Sequence, residues 1–283
     1  MLRCGVVIFP TDKTIQPVEL AQAVEARGLD SLYLPEHTHM PVESKSPFMA
    51  GDIPDFYKRT HDPFVALAAC AAVTERITLA TGICLVTQRD PITLAKEVAS
   101  LDVISNGRLL LGVGAGWNSD ELEHHGVQFE DRWRVLKEKI SALKTIWTED
   151  EASFSGEFVN FDPMWSYPKP IQPGGPKIWI GANSKWVPDR IAEYADGWMP
   201  IRGRPGGATV DMLRQACEKR GRNFDDIDLA MFFAPLEEKP IEEAVSDGFS
   251  EMIFPLPSED RSTVLAKLDE IAEFSAKIRD LGP

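Results

Sequence analysis

With 283 residues, 43% of them hydrophobic and 26% charged, the chain has the balance of a globular protein with a sizeable core, not that of a disordered one. A formal net charge of -14 repels phosphate backbones and anionic lipid over most of the surface, which argues against nucleic-acid and membrane partners and requires any anionic ligand to be held by a local device. Cys4, Cys70, Cys84 and Cys217 form no C-x-x-C pair and no regular spacing, so a disulfide framework or zinc site is disfavoured and a reducing, cytoplasmic setting is expected.

The opening "MLRCGVVIFPTDK" reads as a first strand, because its apolar run is short and no small-residue cleavage site follows. Val18, Ala21 and Val24 then recur at helical spacing, and Gly28 stands where that helix stops. "SLYLP" is a second strand, followed by a long connection from 36 to 61. Asp62-Pro63 and Asp90-Pro91 each place a capping carboxylate before a proline at the first helical position. The apolar run from Phe64 to Val73 is about half the ~20 residues a bilayer span needs. Further strands follow at "ITLATGI", "RLLLGVG", "KIWIGA", "GWMPI", "DLAMFF" and "EMIFPL", with a last helical pattern at Leu265, Leu268 and Ile271. Eight strands, each followed by a helix, predict an α/β fold of the (β/α)8 TIM-barrel class, in one domain over 1–283 that no low-complexity linker interrupts.

Two connections are long enough to be insertions, 36–61 after strand two and 149–176 after helix four, the latter carrying a hairpin at "FSGEFVNFDP". Both are expected to cover a pocket at the C-terminal face of the barrel, where barrel active sites are built. For 149–176, surface decoration is an equal alternative.

Several constellations bear on chemistry. "PEHTHMPV" puts Glu36, His37 and His39 at the mouth of strand two. A metal pair there needs ligands from later strands, and no histidine occurs after His125, so a multi-histidine centre is not completed and no metal is expected. His37 is read as a general acid/base or cofactor-facing group, and His39 as a loop cap. In "LLLGVGAGWNSDE", Gly112 and Gly114 begin a dinucleotide fingerprint, but Trp117 occupies the third glycine position and excludes it. Gly82 lies inside a strand, where a bulge or close ligand approach explains it.

In "KIWIGANSKW", Gly181, Ala182, Asn183 and Ser184 precede a helix and bring backbone N–H groups, a hydroxyl and the helix dipole together. That is a usable phosphate cradle, although taken alone the stretch reads as an ordinary N-cap. Arg202 and Arg204 lie on the glycine-rich "IRGRPGG", where they are candidates for an anionic tail against the plainer reading of a solvated loop. His124-His125 are expected at a partly exposed helix end, and Trp133 and Trp147 in the core. No G-x-S-x-G, P-loop or H-E-x-x-H occurs.

Taken together, "PEHTHMPV", "DIPDFYKRTHDPFVALAACAAVTERITLATGI", "RDPITLAKEVASLDVISNGRLLLGVGAGWN" and "PKIWIGANS" followed by "YADGWMP" resemble the luciferase-like monooxygenase superfamily, closest to its branch of probable coenzyme F420-dependent oxidoreductases. The resemblance runs from about residue 30 to 200 and is weak after 205. It implies a (β/α)8 barrel with insertions, a flavin or deazaflavin in the barrel mouth, a small-molecule substrate and a homodimer. It places a strand-three bulge, often with a non-prolyl cis peptide, at Gly82-Ile83, the phosphate loop at Gly181 to Ser184, and an acidic-His catalytic pair at Glu36-His37. Gly114, Trp117 and Asn118 then fall beneath and beside the cofactor. Sugar-phosphate dehydrogenase relatives carry a glutamate just after strand four, where this chain has Ala115, a departure that argues against their substrate. The resemblance implies hydride transfer with coenzyme F420, with FMN and dioxygen as one alternative and a non-catalytic cofactor-binding protein as another.

Overall fold

The computed structural model describes residues 1–46 and 52–282. Eight parallel strands close into a barrel: β1 (Arg3–Val7), β2 (Ser31–Leu34), β3 (Thr78–Thr81), β4 (Leu109–Val113), β7 (Ile178–Ile180), β8 (Gly197–Trp198), β9 (Asp228–Phe232) and β10 (Glu251–Pro255). β1 closes the ring by pairing with β10, Val6 opposite Phe254, and with β2, Val6 opposite Leu32. Helices α1 (Pro17–Ala26), α2 (Pro63–Ala71), α3 (Pro91–Ile104), α6 (Val187–Tyr194), α7 (Val210–Lys219), α8 (Glu238–Ser246) and α9 (Arg261–Ile278) alternate with the strands, and β4 is followed by two, α4 (Ser119–His124) and α5 (Arg132–Thr148). The expected (β/α)8 architecture is therefore present.

Two-residue periodicity fills the barrel on both sides. Val6 packs outward with Leu20, Leu67 and Leu268, whereas its neighbour Val7 packs inward with Tyr33, Trp179, Phe232 and Ile253. Helix starts follow the expected signals. Asp62 accepts from the Phe64 and Val65 N–H groups at 2.9 and 3.0 Å, and Asp90 from that of Thr93 at 2.8 Å. Gly28 ends the first helix at φ +70°, a conformation that other side chains rarely adopt.

The predicted hairpin forms as β5 (Ala152–Ser155) and β6 (Asn160–Met164), but it does not cover the pocket. Glu138 on α5 accepts from the backbone N–H groups of Glu157, Phe158 and Val159, clasping the turn to that helix's outer flank. No residue of 149–176 lines the cavity described below, so among the two readings of this insertion surface decoration holds. The first insertion does reach the cavity, through Tyr57, while its residues 47–51 lie outside the described ones. Among the described residues, no helix is long and apolar enough to cross a membrane.

Candidate active site

A cavity of about 560 Å³ opens at the C-terminal ends of the strands, with contributions from every barrel strand end except that of β10. Its floor is built where β3 leaves the sheet. A cis peptide joins Gly82 to Ile83, and pairing with β4 then resumes through Cys84 N–H to Gly112 O (2.7 Å) and Gly114 N–H to Cys84 O (3.1 Å). The Ile83 side chain consequently lies across two other strand ends. A Cβ at Gly114 would sit 2.7 Å from Ile83 Cδ1, and one at Gly181 would sit 2.6 Å from Ile83 Cγ2. Glycine at both positions is what lets a flat apolar floor form there.

Glu36 is tied into that floor. Its carboxylate accepts from Leu85 N–H and from Arg89 Nε, each at 2.7 Å, and it is 3% exposed. Burial with engaged partners makes it a strut for the bulge at the edge of the cavity it lines. The structure shows Glu36 supporting the bulge through these hydrogen bonds, next to the His37 with which it was expected to pair.

His37 has a different carboxylate. Its Nδ1 lies 3.0 Å from both oxygens of Glu121, a buried residue in the first turn of α4. A Nδ1–H donating to the carboxylate fixes the neutral ring in one tautomer and leaves the Nε2 lone pair for proton transfer. The ring stands between Tyr57 at 5.1 Å and Trp117 at 6.1 Å. Asn118 sets the helix that carries Glu121, its Oδ1 accepting from the Asp120 and Glu121 N–H groups at 3.1 and 3.2 Å. Expected as pocket wall, Asn118 is instead the fully buried N-cap of α4, while Trp117 lines the cavity.

His39 turns the other way. Its Nε2 lies 2.8 Å from His124 Nδ1 with the two rings stacked at 5.0 Å, and Thr38 Oγ1 bridges to His125 Nε2 at 3.1 Å. The H-x-H pair thus diverges, and no cluster of three or more metal-binding side chains occurs among the described residues.

The loop after β7 lines the cavity through Gly181, Ala182, Asn183 and Ser184. Asn183, however, spends its side chain on the loop after β8: Nδ2 donates to Ile201 O (2.8 Å) and Arg204 O (3.0 Å), and Oδ1 accepts from Ile201 N–H (2.8 Å). This brings Arg204 to the cavity wall. Arg202 points away from it, exposed, with its backbone N–H donating to Phe232 O at 2.9 Å. Its expected contact to an anionic tail is not supported by this placement.

Two further arginines line the cavity that sequence reasoning did not single out. Arg190 on α6 lies over the Trp133 ring at 4.1 Å, and Arg132 at the start of α5 over the Phe129 ring at 3.5 Å. Burial pushes both guanidinium pKa values down, and the Arg190 charge lowers that of Arg132 further. Nη1 of Arg190 is buried without a hydrogen-bond partner. A buried donor left without a partner costs free energy, and the two neighbouring guanidinium groups give this end of the cavity a positive charge suited to an anion. Trp133, expected in the core, is thereby a wall of this cationic end; Trp147 is buried as expected, its Nε1–H donating to Ala95 O at 3.1 Å.

The profile of the luciferase-like monooxygenase family matches residues 13–279. An uncharacterized protein of Mycobacterium tuberculosis is 39% identical over 278 residues, covering 95% of this chain and 96% of that protein. An F420-dependent glucose-6-phosphate dehydrogenase of Nakamurella multipartita is 29% identical over 75% of this chain and 61% of its own length, and an FMNH(2)-dependent dimethylsulfone monooxygenase of Pseudomonas putida is 31% identical over 57% and 46%. Among solved structures, the monooxygenase RslO1 of Streptomyces bottropensis superposes with a TM-score of 0.77 over 98% of this chain and all of its own, at 19% identity, a likeness of fold.

Proposed function

The chain belongs to the luciferase-like monooxygenase family, and from that premise we propose that it is an oxidoreductase using coenzyme F420, with hydride passing between the deazaflavin and a small organic substrate. The observation that carries the choice is the cationic end of the cavity. F420 and FMN share a flavin-like ring, a ribityl chain and a phosphate, whereas F420 continues into an acidic tail. In a chain of net charge -14, two adjacent arginines with an unpartnered Nη1 suit a ligand bearing more than one anionic group.

The residues present fit such a group. Gly181, Ala182 and Ser184 would meet the phosphate, Arg132 and Arg190 the anionic portion beyond it, and Ile83 the ring, the two glycines beneath Ile83 leaving the floor flat. The bound deazaflavin would supply two-electron, hydride-level chemistry. The protein would supply the rest. His37 Nε2 takes or gives the proton on the substrate oxygen, Glu121 holds the imidazole in the required tautomer, and Trp117 and Tyr57 limit water around it. The likeness to the FMNH(2)-dependent monooxygenase supports reduced FMN with dioxygen as the second reading.

Turnover with F420 under strictly anaerobic conditions separates the two. Undiminished substrate oxidation or reduction without dioxygen is expected. An absolute requirement for dioxygen would transfer the assignment to the monooxygenase reading.

A further inference from the structure

The cavity has two chemically distinct ends. Besides the arginines on α5 and α6, the ends of β1, β2 and β9, the first insertion and the turn after β4 supply Phe9, Pro35, Phe232 and Phe233, Tyr57 and Trp117 to the cavity that His37 also lines. Their rings pack in two groups that both line the cavity: Phe9 and Tyr57 lie 4.7 Å apart with Tyr57 meeting Trp117 edge-on at 6.4 Å, and Phe232 and Phe233 lie 4.8 Å apart. The carboxylate at this end, Glu36, is already neutralised by Arg89, so a substrate here meets mainly aromatic faces and the His37 imidazole, with Arg204 on the same wall.

Phe233 adds an independent observation. It holds φ +63°, in the left-handed region that a bulky aromatic residue rarely adopts, while remaining 37% exposed. Its ring packs on Phe232 and lines the cavity, and a backbone conformation of this kind collects at ligand-gripping positions.

Resting on the cofactor reading above, we propose that the substrate is a neutral, predominantly apolar alcohol or carbonyl compound, and that Phe233 is a specificity-determining residue that closes the aromatic wall over it. A phosphorylated sugar is disfavoured, because a dianionic group at this end would lose its hydration against aromatic faces. Arg204 also lines the cavity, and its charge acts on the Tyr57 phenol, against the upward push of burial. The test therefore includes it.

The experiment is a calorimetric titration of the F420-loaded protein with cyclohexanol, 2-octanol and glucose 6-phosphate, repeated with Phe233→Gly and Arg204→Gln. Cofactor binding is measured first by absorbance, so that its loss would count against the cofactor reading and not against the substrate class. Saturable binding of a neutral probe is expected, weakened at least about tenfold by Phe233→Gly. Because glycine adopts φ +63° without strain, that variant is expected to keep a folded, cofactor-binding state, which the absorbance measurement checks. Failure of both neutral probes to bind, or unchanged affinity for them in a folded, cofactor-binding Phe233→Gly variant, would overturn the proposal. So would glucose 6-phosphate binding that Arg204→Gln abolishes.

Discussion

His37→Ala is expected to lower turnover by about 100-fold or more while leaving cofactor affinity nearly unchanged, since general acid/base help is typically worth that much and one imidazole is a small part of a large cofactor's contacts. The dyad geometry sharpens this. Glu121→Gln preserves size and hydrogen bonding but can donate to, as well as accept from, Nδ1, so the single fixed tautomer is lost. A drop smaller than that of His37→Ala is expected. The two substitutions act on one unit, and the double variant should therefore be no slower than His37→Ala alone. Full activity in His37→Ala on an identified substrate would return His37 to a structural role, and additive losses would dissolve the dyad.

Replacing both Arg132 and Arg190 by methionine is expected to weaken F420 binding by at least about 100-fold, because each charge-assisted hydrogen bond is worth roughly 1.5–3 kcal/mol and two are removed. The salt dependence of binding should flatten at the same time, since surface-facing ion contacts are screened at ~0.15 M salt. Methionine keeps part of the packing on Trp133 and Phe129, so the melting temperature serves as the control for folding. Arg202→Ala, at an exposed position outside the cavity, is the matched negative control. Unchanged F420 affinity in the double variant would leave the cationic end without its assigned ligand.

Most of the barrel was legible because its signals are local. Alternation such as Val6 out and Val7 in, aspartate-proline helix starts and a positive-φ glycine each act over a few residues. The family motifs carried the bulge at Gly82-Ile83 and the loop from Gly181 to Ser184 to the cavity floor and wall, where the structure has them. The misses are all matters of long-range pairing. Glu36 sits next to His37 in sequence, yet alternation of side-chain direction sends its carboxylate to Leu85 and Arg89 while Glu121 arrives from another helix. Ala115 stands where sugar-phosphate dehydrogenase relatives carry a glutamate, yet the turn capped by Asn118 delivers a carboxylate to His37 six residues later. Its trace in the sequence was the acidic first turn after that asparagine, which is also what an ordinary helix start looks like. Arg132 and Arg190 resemble solvated helix positions until α5 and α6 are placed side by side.

The most direct test of the account is an equilibrium titration of the purified protein with F420 and with FMN at one physiological ionic strength, followed by the cofactor absorbance that remains with the protein after gel filtration. The account predicts that F420 binds tightly and stays with the protein, and that FMN, which lacks the acidic tail, binds at least about tenfold more weakly. Tight FMN binding with no detectable F420 binding would contradict it.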